Sequence, residues 1–199
     1  MPPRTSEGIL LHALLPRVTL AQNILLIGAG SLLVALSAQL SLPLPFSPVP
    51  VTGQTFAVLL LGATYGARRS AAALLLYLAE GAVGLPVFAP GGPLGLARLL
   101  GPSGGYLLAF PAAAFLLGWL MERWPRDGRG WLGAVLAAEA VIFLGGTAWL
   151  KLLTQVSWFE ALGLGLLPFL PGELAKVALL GLCLPASWWA LARGQPRNP

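Results

Sequence analysis

The most constraining feature of this chain is a run of 50 successive residues, 18–67, without a single Asp, Glu, Lys, Arg or His. One helical crossing of a bilayer needs about 20 apolar residues, so this run is long enough for two crossings. Two further uncharged runs, residues 99–121 and 177–192, extend the same property along the chain. The whole chain is 57% hydrophobic and 10% charged, whereas soluble domains are about 25% charged. We therefore predict an all-α membrane protein with several crossings.

Proline and glycine clusters divide the chain into six apolar segments. The second segment is short unless its helix begins near residue 51. The first 18 residues and residues 193–199 flank a membrane domain that spans residues 19–192. We predict helices over residues 19–40, 56–63, 70–85, 106–121, 131–153 and 173–192.

The distribution of basic residues predicts the orientation of these helices. Six crossings place both termini on one side of the membrane, and cytoplasmic loops are enriched in Lys and Arg. Only Arg98, Lys151 and Lys176 fall in or near the opposite loops. Both termini are therefore predicted to be cytoplasmic. The other nine of the 12 basic residues lie on that side: Arg4, Arg17, Arg68, Arg69, Arg123, Arg126, Arg129, Arg193 and Arg197.

Several chemistries are disfavoured by composition. His12 is the only histidine and Cys183 the only cysteine, so no Ser-His pair can form within the membrane and no zinc motif is present. A nucleotide-binding loop with its lysine is also missing. The basic residues are scattered beside apolar segments, which fits membrane topology better than nucleic-acid binding. We expect no catalytic residue, no metal and no cofactor.

Ionisable residues inside apolar segments are the best candidates for function, because each is costly in hydrocarbon and normally faces protein or a wet cavity. Glu173 and Lys176 lie three residues apart, on one helix face near the outer boundary. They either bind a polar solute or form an ion pair that starts the helix. Glu80 and Glu139 also lie in apolar segments. Each is either a helix-packing or protonated group or a residue that contacts a ligand.

Other polar and small residues carry weaker signals. Arg98, in the outer loop, is either solvated or a bidentate partner for a carboxylate ligand. Gln54 and Thr52 either hydrogen-bond an amide-like solute or cap a helix. Ser31 and Ala35 are small residues at helical spacing, which permits close approach of another helix of this fold or of a partner.

Five segments together resemble the BioY family, the biotin-binding S components of energy-coupling factor (ECF) transporters. Residues 38–44 read AQLSLPL and residues 48–55 read PVPVTGQT. Residues 84–89 read GLPVFA and residues 101–106 read GPSGGY. Residues 167–176 read LPFLPGELAK, where the family has aspartate in place of Glu173.

The resemblance implies a six-helix protein in the plasma membrane of a prokaryote, with biotin as substrate. It also implies two kinds of partner, a transmembrane T component and ATP-binding cassette ATPases. Glu173 stands where the family has an acid that accepts the ureido N–H groups, with Lys176 beside it. Ser31 and Ala35 fall on the family's partner-docking motif, with serine replacing the first alanine.

Biotin suits an apolar pocket with a few placed polar groups. Tyr77, Phe88 and Tyr106 lie near the outer side and either wall the bicycle of the ligand or serve packing. Two alternatives remain open from the residues alone: an S component for another vitamin, and a self-sufficient carrier that uses Glu80 or Glu139 as a proton relay. A membrane-embedded enzyme is disfavoured by the missing histidines and cysteines.

Overall fold

The computed structural model describes residues 18–123 and 130–194, with side chains described up to residue 182. The predicted N-terminal segment, residues 1–18, and tail, residues 193–199, fall almost wholly outside this part. The described residues form helices and one antiparallel hairpin. The helices are α1 (Leu20–Gln39), α2 (Gln54–Tyr65), α3 (Ala67–Ala82), α4 (Leu96–Leu99), α5 (Gly104–Arg123), α6 (Trp131–Thr154), α7 (Trp158–Gly165) and α8 (Leu170–Gly194), and the strands are β1 (Ser41–Leu42) and β2 (Val51–Thr52).

Three of the described helices, α1, α5 and α6, are long and apolar enough to cross a membrane. Helix α7 and the start of α8 meet at an angle of 51° and make a fourth candidate if the bent pair is one span. Helix α2 has 12 residues, which is about 18 Å of helix and shorter than the hydrocarbon core. Each of the six predicted helices has a counterpart here, but the count of six crossings and their orientation stay predictions.

The predicted start of the third helix, residue 70, is three residues late. Gly66, whose φ is +82°, lets the chain turn from α2 directly into α3. The carboxylate of Glu122 accepts a hydrogen bond from the Ala67 amide at 2.9 Å, which satisfies one of the free N–H groups that begin a helix. Arg68 and Arg69 therefore belong to the first turn of α3 rather than to the loop before it.

Helix α7 was not predicted, although the sequence carries a signal for it. Ser157 and Glu160 form a capping box in which the side chain of each residue accepts a hydrogen bond from the backbone N–H of the other. The pattern Ser-x-x-Glu before an apolar run is the usual signature of such a helix start. The last helix also begins earlier than predicted, at Leu170, with Pro171 in its first turn, where proline is well tolerated.

The core lies where α5 packs against α3 and α6. Gly105 permits close contact with α6, since a Cβ atom there would lie 2.6 Å from the carbonyl oxygen of Gly145. Small residues at such contacts are typical of helix packing in membranes. Helix α1 covers one side of the bundle and leaves a leucine-rich face exposed, which suits contact with lipid. Exposed residues on that face include Leu25, Leu32 and Leu36.

The hairpin positions the polar residues that precede α2. Ser41 pairs with Thr52, and the Gly53 amide donates to the Leu40 carbonyl at 2.9 Å. A side chain at Gly53 would meet the backbone oxygen of Ser37, since its Cβ would lie only 2.8 Å away. The sequence Thr52-Gly53-Gln54 is thus held against the end of α1, and its side chains are fixed where α2 begins.

Candidate ligand-binding site

A partly open cavity lies between the hairpin, the start of α2, the loop with α4, and helices α5, α6 and α8. Most of its wall is apolar or aromatic, with a few polar groups. The lining residues are Val49, Pro50, Thr52, Gln54, Thr55, Ala89, Arg98, Ser103, Tyr106, Leu107, Phe110, Phe143, Phe169 and Glu173.

Glu173 is the acidic residue of this cavity and is only 6% exposed. Lys176 forms an ion pair with it at 2.7 Å, one helical turn further along α8. The ammonium group of Lys176 also donates to the Thr52 carbonyl and to the Thr55 hydroxyl, each at 2.7 Å. An ammonium has three N–H donors, so all three are in use. Lys176 does not line the cavity and instead holds Glu173 in place.

Thr55 is a site residue that the sequence analysis missed. Its hydroxyl accepts from Lys176 and donates to the carboxylate of Glu173, 2.8 Å from Oε2. Thr52 belongs to β2 and Thr55 to the first turn of α2, so no helical spacing links the two residues. Their proximity to residues 173–176 depends on tertiary contacts across about 120 positions, which no local pattern reveals.

Gln54 and Thr52 lie in the cavity wall, as predicted, and are linked to each other. The Thr52 hydroxyl donates to Gln54 Oε1 at 2.9 Å. Gln54 Nε2 in turn donates to the hydroxyl of Tyr77 at 2.6 Å, and Tyr77 donates to the Val87 carbonyl at 3.2 Å. This network fixes the orientation of the Gln54 amide.

Tyr77 and Phe88 do not line the cavity. They pack edge to face behind Gln54, with ring centroids 5.4 Å apart. Tyr77 is fully buried and Phe88 nearly so. The side chain of Phe88 fills the space beside Gly81, where a Cβ atom would overlap its ring. In this structure they support a polar residue of the cavity wall rather than face a ligand.

Arg98 is buried, 8% exposed, and lines the cavity from α4. Its Nη2 donates to the Ala89 carbonyl at 2.9 Å. Burial lowers the pKa of Arg98 from its ordinary value, but a guanidinium stays protonated in proteins. A side chain at Gly92 would overlap the guanidinium, so the guanidinium would have to shift if this glycine were replaced. The burial of Arg98 does not fit the solvated alternative, and its contact with a carboxylate ligand stays a prediction.

An aromatic cluster forms another part of the wall. Tyr106 lies 6.1 Å from Phe143 and 6.2 Å from Phe169, measured between ring centroids. The Tyr106 hydroxyl donates to the Gly165 carbonyl at 2.6 Å, which ties α5 to the end of α7. Tyr106 thus lines the cavity as predicted, while its two phenylalanine neighbours were not identified from the sequence.

Ser31 and Ala35 do not form an open groove on α1. Ser31 is fully buried and its hydroxyl donates to the carboxylate of Glu80 on α3. Ala35 is 7% exposed. Ser31 therefore makes an internal contact with α3 and both side chains are buried, while a role of the two residues in partner docking stays a prediction. The same bond explains the intramembrane Glu80, which holds α1 and α3 together.

Glu139 remains without such an explanation. It lies on α6, is 7% exposed, and neither of its carboxyl oxygens has a hydrogen-bond partner. It shares an apolar groove between α6, α7 and α8 with Glu173.

The described residues contain no group of three or more His, Cys, Asp or Glu side chains that could hold a metal ion. The cavity instead combines one ion-paired carboxylate, one guanidinium, a fixed amide and aromatic rings. These groups suit recognition of a small ligand that has N–H donors, an anionic group and an apolar body. Together with the apolar helices, they define a membrane protein that binds a small polar molecule.

Comparison with known proteins identifies the family. A profile of the BioY family matches residues 9–193, which is nearly the whole chain. The chain therefore belongs to the BioY family. It is 38% identical over 165 residues to biotin transporter BioY2 of Lactococcus lactis subsp. cremoris, covering 81% of this chain and 89% of that protein. It is 34% identical over 158 residues to the probable biotin transporter BioY of Pyrococcus horikoshii, covering 79% and 91%.

A solved structure has the same fold. It is the crystal structure of the S-component for biotin from an ECF-type ABC transporter, with a TM-score of 0.75 and 26% sequence identity. The match covers 83% of this chain and 92% of the other. The relatives are transporters rather than enzymes, in agreement with the expectation that this chain carries no catalytic residue.

Proposed function

We propose that this chain is the biotin-binding S component of an ECF-type transporter. The main support is the buried Glu173–Lys176 pair in the wall of a cavity that Arg98 also lines. A carboxylate acceptor and a guanidinium donor match the two polar ends of biotin, its ureido ring and its carboxylate. The names of the relatives point to the same substrate.

Each polar group of the cavity has a distinct role in this proposal. Glu173 accepts the ureido N–H groups, and Lys176 holds Glu173 in place without contacting the ligand. Arg98 binds the biotin carboxylate, and Gln54 with Thr52 supplies neutral hydrogen bonds. The rings of Tyr106, Phe143 and Phe169 pack against the apolar bicycle.

The membrane arrangement is part of the same proposal. The chain crosses the plasma membrane of a prokaryote six times, with both termini in the cytoplasm. The short helices α2 and α3 count as crossings in this arrangement. Its partners are a transmembrane T component and ATP-binding cassette ATPases, which supply the energy for transport, since this chain has no nucleotide-binding motif of its own.

Binding measurements test the proposal directly. Calorimetry on the purified chain should show tight binding of biotin and none of thiamine or riboflavin. Glu173→Ala should weaken biotin binding at least about tenfold, because a charge-assisted hydrogen bond contributes roughly 1.5–3 kcal/mol. Glu160→Ala is the matched control, since Glu160 is exposed and caps α7 away from the cavity.

Two results would count against this function. Tight binding of a different vitamin would support an S component of other specificity. Unchanged biotin affinity in a folded Glu173→Ala variant would reduce the Glu173–Lys176 pair to a structural feature of the helix start.

A further inference from the structure

A second cavity, open to solvent, lies at the other end of α2 and α5 from the ligand cavity. The start of α1, the junction between α2 and α3, and the end of α5 surround it. Helix α3 begins at its base. The described lining residues are Val18, Thr19, Leu20, Asn23, Tyr65, Gly66, Ala67, Arg68, Arg69, Phe115, Trp119, Glu122 and Arg123.

This cavity is strongly basic. Three arginines and one glutamate among its described lining residues give a formal charge of +2. The acid is already engaged, since Glu122 accepts the Ala67 amide at 2.9 Å and so caps α3. The first turn of α3 adds backbone N–H groups and the positive end of a helix dipole at the same place.

The arginines are held in different ways. Arg69 Nε donates to Asn23 Oδ1 at 2.7 Å, which joins α3 to α1. The guanidinium of Arg123 lies 4.0 Å from the ring centroid of Trp119, and its Nη1 donates to the Trp119 carbonyl at 3.3 Å. A guanidinium has five N–H donors, so others remain for a ligand. Arg68 is exposed at the rim. Arg68 and Arg123 therefore reach into the cavity from α3 and α5.

Apolar surface continues from this basic cavity along the helices. Leu20 is 76% exposed on α1, while Phe115 and Trp119 are 45% and 37% exposed on α5. A small soluble anion would use only the arginines. An amphiphile with an anionic head and apolar tails would use both surfaces, and basic pockets between membrane helices are known to bind lipid head groups.

We propose that this cavity is a binding site for an anionic phospholipid. The phosphodiester lies between Arg68 and Arg123, whose planar guanidinium groups suit phosphate oxygens. The acyl chains run along the cleft between α1 and α5. The sequence places this end of the bundle on the cytoplasmic side, where the excess of basic residues lies.

The test compares lipids that differ only in head-group charge. Thermal stability of the full-length chain in neutral detergent is titrated with dioctanoyl phosphatidylglycerol, dioctanoyl phosphatidylcholine or inorganic phosphate. The wild type should be stabilised by phosphatidylglycerol far more than by the other two. Arg68→Gln/Arg123→Gln should weaken the apparent affinity for phosphatidylglycerol roughly thirtyfold, at about 1 kcal/mol per arginine.

The control variant is Lys151→Gln, which removes one positive charge at the opposite end of the bundle, where Lys151 stacks on Trp158. It should leave the lipid affinity within about twofold. If the double variant is unstable without lipid, Arg68→Gln alone should still give roughly a fivefold loss, because Arg68 is exposed.

Three results would overturn the proposal. Equal stabilisation by both lipids would show that head-group charge is not recognised. Saturating stabilisation by inorganic phosphate would mark a site for free anions. A folded double variant that keeps its preference for phosphatidylglycerol, but fails to assemble with a partner membrane protein, would assign these arginines to a protein interface.

Discussion

Two glutamates of this chain are buried to the same degree, yet the hydrogen bonds that their carboxyl groups receive differ. Glu173 and Glu139 are 6% and 7% exposed and line the same groove between α6 and α8. Glu173 receives hydrogen bonds from Lys176 and Thr55. Glu139 receives none, although both of its oxygens are buried.

The difference concerns the hydrogen bonds and the ion pair that a buried carboxyl group receives. An isolated carboxylate in an apolar interior costs several kcal/mol, and a paired, hydrogen-bonded one costs much less. Lys176 has no N–H donor left for Glu139, and no other basic residue is among the described residues of the groove. Glu173 is therefore held in place as an acceptor for N–H donors, whereas neither carboxyl oxygen of Glu139 has a hydrogen-bond partner.

The largest effect should come from removing the partner of Glu173. Lys176→Met leaves a buried carboxylate without its cation, and breaking a buried ion pair costs about 3–5 kcal/mol. We expect a large drop in thermal stability and loss of biotin binding. Differential scanning fluorimetry and calorimetry measure the two effects.

A double variant makes this comparison sharper. Glu173→Leu/Lys176→Met removes both charges and should recover most of the lost stability, since an apolar replacement of a buried pair is often neutral. It should not recover binding. Recovery of neither property would show that the surrounding polar contacts, rather than the charge, determine folding here.

A smaller effect is expected at Arg98, the other charge of the ligand cavity. Arg98→Ala should weaken biotin binding about tenfold, within the range for hydrogen bonds to charged groups. The loss should be smaller for a biotin amide, which lacks the carboxylate. Calorimetry with both ligands checks this, and equal losses would remove Arg98 from direct contact with the ligand.

Gly92→Ala is a matched variant for Arg98. It leaves the guanidinium in the chain but occupies the space that this group needs. We expect the same selective loss for biotin over its amide. Comparing Gly92→Ala with Arg98→Ala shows whether binding depends on where the guanidinium lies or only on its being present.

Much of the fold could be predicted from the sequence because membrane helices have a strong, local signal. Uncharged length and helix-breaking residues located α1, α5 and α6 to within a few residues. Helix α7 has an equally local signal in its capping box, although it was not among the predicted helices. The start of α3 was missed for a different reason, because Glu122, which caps it, is far away in sequence.

Residues of the site could be predicted from the sequence only where their contacts are local or where they match family motifs. Glu173 and Lys176 pair within one helical turn, so the sequence indicates them directly. Thr55, Phe143 and Phe169 join them through packing of different helices, which one sequence does not reveal. The small residues of α1 illustrate the same limit, since spacing shows that Ser31 permits a close contact but not that its partner is Glu80 of this chain.

The smallest effect is expected at Glu139. A glutamine has the size of a neutral carboxylic acid and no charge, so Glu139→Gln should change stability by less than about 1 kcal/mol, the scale of a neutral hydrogen bond. Biotin binding and ATP-driven uptake by the assembled transporter should both persist, in contrast with Glu173→Ala. Uptake of labelled biotin into cells that express the variant with its partners measures this. A variant that binds biotin normally but no longer supports uptake would contradict the prediction that Glu139 is dispensable. Glu139 would then carry a proton during transport, as the alternative of a proton-coupled carrier requires.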